Sequence, residues 1–167
     1  MRKIFGLMLF VILAAAGCGS DVTKYESSYG WIMEYPSRYE LQDNSSETNT
    51  TFNIPSESTS SVNSLIVVKQ RLFGARQEFV DVQKAMREGL ESQGNVTNVR
   101  VNIGEHASGE VVHISFQNLS DVGLVHVMQA LMRNPSGDHV FLSMSAMPDD
   151  ARDLRIEFDE IVAAFQP

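Results

Sequence analysis

The chain has almost no cysteine: Cys18 is the only thiol among 167 residues. No disulfide can form within one chain, so an exported domain built from it must hold together by packing alone. Positive charge is scarce as well. There are 13 Lys and Arg against 21 Asp and Glu, a formal charge of −8. If residues 1–17 are removed, Arg2 and Lys3 leave with them, and 11 basic residues against 21 acidic ones give −10. Such a body repels a phosphate backbone, which excludes nucleic acid as a partner. An anionic lipid surface would not attract it either, so membrane association has to come from an anchor. Long apolar runs are missing too. The run from Ile4 to Ala16 covers about 13 residues, whereas a helix that crosses the hydrocarbon needs roughly 20. Nucleophile elbow, phosphate loop, metalloprotease helix and dinucleotide fingerprint are all absent, and no second cysteine exists for a thiolate metal site. No catalytic residue and no cofactor are therefore assigned, and the chain reads as a non-enzyme.

What is present begins with an export signal. Arg2 and Lys3 form a positive start, the apolar run follows, and Ala14-Ala15-Ala16-Gly17 supplies small residues for a peptidase. Leu13-Ala14-Ala15-Ala16-Gly17-Cys18 resembles the bacterial lipobox, with Ala15 where leucine is usual and Leu13 two residues further back. The resemblance implies diacylglycerol on Cys18, which becomes the mature N-terminus. The alternative is an ordinary signal cut near Ala16 that leaves Cys18 as a free thiol. Two or three acyl chains, at about 0.8 kcal/mol per buried methylene, hold far more firmly than one. Gly19 does not decide between inner and outer membrane. The expected organisation is a signal over 1–17, a lipidated tether over 18–28 and one globular domain over 29–167. The mature length, 167 − 17 = 150 residues, suits a single core. The expected location is the cell envelope, outside the cytoplasm.

Along the domain, Trp31, Met33 and Tyr35 alternate as one face of a strand closed by Pro36, and Tyr39 to Leu41 is expected to continue it after a kink. Between Asp43 and Ser64, 15 of 22 residues are Ser, Thr or Asn, which predicts exposed loop with one short strand at Thr51–Ile54. The Asn-x-Ser/Thr triplets in this chain follow from that composition and carry no weight. Leu65 to Leu72 reads as a strand. Phe79, Val82, Met86 and Leu90 draw one apolar helical stripe between Arg76 and Ser92, with Gly94 where a C-cap belongs. Strands are expected at Val99–Ile103, Glu110–Gln117, Val122–Arg133 and His139–Met147, the last three as a meander through loops at 118–121 and 134–138. A final helix carries Leu154, Phe158, Ile161 and Phe165. The strand after residue 122 is apolar on both faces, which requires cover on both sides. The order of elements predicts an α+β domain, an antiparallel sheet sandwiched between helices.

Gly30-Trp31-x-Met33-x-Tyr35-Pro36-x-x-Tyr39 at the start and Phe158-x-x-Ile161-x-x-x-Phe165 at the end resemble the PsbP/DcrB/Mog1 family, over roughly residues 25 to 166. Ala164 stands where serine often precedes the last Phe. The matching residues are core and turn positions. The resemblance implies an α/β/α sandwich and an accessory or binding role for another envelope component, with no catalytic residue to carry over.

Two clusters invite chemistry. With a four-residue loop at 118–121, His113 falls opposite His126, and a five-residue loop at 134–138 sets Met128 opposite Met144. Together these residues would make a His/Met cluster suited to Cu(I), the alternative function being periplasmic copper handling. Facing histidines could also titrate together near pH 6. The plainer reading is that the methionines fill the core and the histidines satisfy each other or water. Asp149, Asp150 and Asp153 raise a hydrolase or calcium reading, but carboxylates at a helix start are explained by its positive end, and Asp149 or Asp150 is a natural N-cap.

Overall fold

Alternation of apolar and polar residues dominates the middle of the chain, and in the computed structural model it becomes sheet. Residues 21–27, 30–42, 49–56, 63–70 and 78–167 are described. The expected signal over 1–17, Cys18, Leu72 and Arg76 lie outside them. In chain order the strands are β1 (Val22–Glu26), β2 (Ile32–Pro36), β3 (Glu40–Leu41), β4 (Asn49–Ile54) and β5 (Asn63–Gln70). Helix α1 (Phe79–Glu91) follows, then β6 (Val96–His106), β7 (Gly109–Ser120), β8 (Gly123–Arg133), β9 (His139–Ala146) and helix α2 (Ala151–Ala164). The large sheet has seven antiparallel strands in the order β3-β4-β5-β9-β8-β7-β6, while β1 and β2 pair separately.

Both faces of the large sheet are covered, as its two-sided apolar strands require. On one face, Leu154, Phe158 and Ile161 of α2 bury against Met33, Phe52 and Leu142. On the other, Phe79 and Val82 of α1 pack on Val101, Ile114 and Leu131, with Met86 and Leu90 half-buried beside them. The fold is thus the expected α+β sandwich. The β1–β2 ribbon lies on the α2 side, where Trp31 stacks on Phe165 at 5.7 Å and Tyr35 meets Phe52 at 4.8 Å. Phe165 itself is the C-cap, one residue past the helix, and Gln166 pairs with Ile32.

Several local expectations are corrected. Val22–Glu26, placed in the tether, is a strand, because Tyr25 turns inward against Trp31 (5.2 Å) and Phe52 (5.8 Å). Paired backbone therefore reaches back to Val22. Glu40–Leu41 does not prolong β2: a turn with Tyr39 N–H on Pro36 O sends the chain to pair with β4. The C-cap of α1 is Ser92, whose hydroxyl donates to Gly89 O at 2.8 Å, and Gly94 lies beyond it in a turn. The largest correction is the β7–β8 hairpin. Its loop is Asp121–Val122 alone, Ser120 pairs with Gly123, and Gly123 takes φ +109, a conformation that glycine adopts without strain. The next hairpin keeps its expected register, with Met128 opposite Met144.

Candidate functional site

The site starts from an irregularity in β6. Between Thr97 and Arg100 the ladder with β7 slips, and Asn98 sits at φ 56. A bulge of this kind turns the strand and re-aims the side chains beyond it. After the slip, Arg100 faces Ser115, and Ser115 faces Met128, so the three lie in a row across β6, β7 and β8. Helix α2 packs over β8, β9 and β2 on this face. Its flank toward β6 carries Arg152, Arg155 and Ile156.

A groove of about 720 Å³ runs between that flank and the row of strands. Arg152 and Arg155 line it from the helix, Arg100 and Gln117 from the sheet, and Met128 with His126 from β8. Among the described residues, no carboxylate lines it. The base is tied together by amides: Asn98 donates to the carboxamide oxygen of Gln117, whose nitrogen lies 3.1 Å from Nε2 of His126. A smaller compartment of about 110 Å³ continues past Arg100, Ser115 and Met128 to His113, Asn102 and Asp159.

The electrostatics of the groove oppose those of the chain. Its lining holds three guanidiniums, on a protein whose formal charge is −8. Arg155 approaches Asp159 at 3.7 Å, beyond hydrogen-bond distance, with both side chains more than half exposed. Such a contact neutralises little. Arg100 and Arg152 make no ion pair among the described residues. At the inner end, burial pushes the His113 imidazole below its ordinary pKa; Asp159 opposes this, while Arg155 and His106 add to it.

The His/Met cluster expected from the sequence is not assembled. Met128 and Met144 do face each other, but they are 4% and 0% exposed members of the core cluster beneath α2, with Met128 reaching only the wall of the groove. His126 lies opposite Gln117, and His113 lies opposite Ala130. Four residues of β7 therefore separate the two imidazoles, about 13 Å along the strand. The physical reason is the two-residue turn, which moves every β7–β8 partner relative to a four-residue loop. A shared titration of facing histidines falls with it. Cys18 lies outside the described residues.

The acidic residues at the start of α2 line a different cleft, of about 640 Å³, with Arg38, Asn63 and Glu157. Asp150 holds the N-cap position without capping through its side chain. Its carboxylate accepts instead from Ser56 Oγ (2.7 Å) and Asn63 Nδ2 (2.6 Å), while Asn63 Oδ1 accepts from Met147 N–H (2.9 Å). Asn63 is thus a buried strut, 1% exposed, that ties β5 to the helix start. Glu157 is likewise engaged, by Arg38 at 2.6 Å and by the Tyr39 hydroxyl at 2.7 Å. These bonds make the cleft a structural seam.

The strut makes a prediction about pH. Donors from Ser56 and Asn63 hold the Asp150 carboxyl below its ordinary pKa of 3.8. A lowered folded pKa contributes stability that is present above the unfolded value and is lost as pH falls through the folded one. Asn63→Leu is expected to cost about 1–3 kcal/mol at neutral pH, from the unpaired Met147 N–H and the lost carboxylate donor. Below pH 4 the gap to wild type should narrow, because the Asp150 part disappears. Urea unfolding at a series of pH values checks this, and a gap that does not change with pH would remove the link.

Arg100, Arg152 and Arg155 were not singled out by the sequence. The available signals were Arg100 on the polar side of an alternating strand and the three-residue spacing of the helical pair, which places both on one flank.

No protein-family model matches the sequence, and no curated protein matches it. Solved structures do. The cyanobacterial PsbP (CyanoP) of Synechocystis superposes with a TM-score of 0.60 at 14% identity, covering 93% of this chain and 98% of that one. The Ran-binding protein Mog1p of Saccharomyces cerevisiae gives 0.59 at 13% identity, covering 89% and 96%. LpqN of Mycobacterium tuberculosis, involved in cell envelope biogenesis, gives 0.63 at 11% identity, covering 87% and 90%. With the seven-stranded antiparallel sheet between two helices, these superpositions establish that the chain carries a domain of the PsbP/Mog1-like fold.

Proposed function

We propose that this chain is a lipid-anchored, non-catalytic binding module of the bacterial cell envelope, with the groove between α2 and β6–β8 as its binding surface. The observation that carries this reading is the gathering of Arg100, Arg152 and Arg155 around one groove of an acidic chain. Guanidiniums on such a surface have many carboxylates to meet. Three that line a single concavity mark a place for a partner's negative charge. Two fold neighbours support the role: Mog1p is a Ran-binding protein, and LpqN takes part in envelope biogenesis.

Two further points support the reading. No helix among the described residues is long and apolar enough to cross a membrane, and acyl chains on Cys18 would supply the attachment. Hydrolytic chemistry finds little footing in the hydroxyls near the cleft and the turns. Ser56 donates to Asp150. Ser108 meets His106 at 2.8 Å in the exposed β6–β7 turn, where Nδ1 also accepts from Ser108 N–H and Nε2 has no partner to orient it.

Both halves of the reading are testable in cells. A photoreactive residue at Ile156, in the full anchored chain, is expected to capture an envelope component, whereas one at Val80 on α1, which is even more exposed, is not. Equal capture from both positions would overturn the groove as binding surface. Mass spectrometry of the mature N-terminus should find diacylglyceryl on Cys18, and a bare terminus would remove the anchor.

A further inference from the structure

The chemistry of the occupant can be read from how charge and hydrocarbon are arranged around the groove, taking the binding-surface reading above as given. Arginines line the groove. Outward along the hairpin, the rungs on the α2 face succeed one another as Ser115–Met128, Gln117–His126 and Leu119–Leu124. Directly beyond the amide base, therefore, the same face presents two leucines to water, 62% and 37% exposed. Val122, at 75%, stands at the hairpin tip, and Ile156 of α2, at 56%, lines the groove from the opposite side. Large apolar side chains kept in water beside a cationic groove match a ligand that carries charge and hydrocarbon together.

We propose that the groove binds the phosphate head of an anionic lipid, with Arg100, Arg152 and Arg155 on the phosphate oxygens and the first methylenes of the lipid over Ile156, Leu119 and Leu124. A carboxylate presents its two oxygens in one plane, whereas a phosphodiester sets its two charged oxygens on a tetrahedral centre, so guanidiniums from the helix and from the sheet can reach them from different directions. Asp159 limits how deep the head can enter, since a phosphate moving past Arg155 into the inner compartment meets that carboxylate. The acidic body still repels a charged bilayer as a whole. Screening over about 8 Å confines that repulsion, so the lining of the groove decides the energy of a head inside it. The site therefore selects single lipid molecules.

The test is native mass spectrometry of the full anchored chain in a neutral maltoside detergent, titrated with dioleoyl phosphatidylglycerol. One bound lipid is expected, with phosphatidylcholine of the same chains about tenfold weaker or more because its choline adds a positive charge near the arginines. The Arg100→Gln/Arg155→Gln variant should lose about tenfold or more in affinity through its charge-assisted bonds. Ile156→Ser/Leu124→Ser should lose about threefold to tenfold through its apolar area. An unchanged melting temperature shows that these exposed substitutions leave the fold intact. Equal binding of phosphatidylcholine, or full binding by the arginine variant, overturns the proposal. Competition by inorganic phosphate as strong as by the lipid overturns it too, and assigns the groove to free phosphate. If lipid binding fails while a photoreactive residue at Ile156 still captures an envelope protein, the lipid inference falls alone; if neither occurs, the binding-surface reading falls with it.

Discussion

Phe158→Ala is expected to lower the unfolding free energy by about 3–5 kcal/mol. Phe158 is 2% exposed and lies on the buried stripe of α2 with Leu154 and Ile161, against a cluster that includes Met128, Leu142 and Met144. The ladder of β8 and β9 holds the backbone beneath it, so the space left by the ring cannot close, and the lost contacts add to the lost transfer energy. Ile156→Ala, on the 56% exposed flank of the same helix, should change stability by no more than about 0.5 kcal/mol. Urea unfolding with an unchanged slope measures both. Trp31, the only tryptophan, is 2% exposed and stacked on Phe165, so its fluorescence reports the opening of this layer. Equal losses from positions 156 and 158 would mean that the helix does not bury the face described.

The second large effect is expected on the opposite side of the sheet. Leu131→Ala should cost about 2–5 kcal/mol, because Leu131 is fully buried among Val82, Val101 and Ile114. Its strand also carries Ala130 and Met132 in the other layer. One sheet thus serves two apolar layers, and damage to either should be felt in both. Trp31 lies in the layer that Leu131 does not touch, yet its fluorescence transition should move with the far-ultraviolet circular dichroism transition in Leu131→Ala. Coincident midpoints are the mark of a single cooperative unit. A fluorescence midpoint that stays at the wild-type value would show instead that the α1 layer opens by itself.

The fold was legible where local chemistry and packing agree. The loop between β8 and β9 announces itself: Asn134 Oδ1 accepts from Asp138 N–H and the Ser136 hydroxyl, and Gly137 takes φ +85. That chemistry sets the register that brings Met128 opposite Met144. The stripes of both helices were legible for the same reason, since each repeats every three to four residues. The β7–β8 turn misled. Asn118 and Ser120 look like loop residues but stay in the ladder, and Asp121–Val122 carries only the glycine that follows it as a signal. Register depends on such details, so the facing histidines were lost with them. The tether was misread because one inward residue, Tyr25, is too short a pattern to declare a strand. The groove was hidden more deeply. Arg100 lies far along the chain from Arg152 and Arg155, and each alone looks like a solvated charge; only the packing of α2 across the sheet brings them to one cavity.

The two ends of the large sheet share a property that follows from their shapes. At one border stands β3, which offers only Glu40 and Leu41, and at the other stands β6, put out of step by the slip before Arg100. A straight foreign strand needs a long, evenly spaced row of free N–H and C=O groups as its template. Among the described residues one border is too brief to provide such a row, and the other is interrupted where Asn98 adopts φ 56, which shortens its even run to Arg100–His106. Lateral growth of the sheet into fibrils is thereby discouraged from both directions, and the kink that brings Arg100 to the groove is also a guard against self-association.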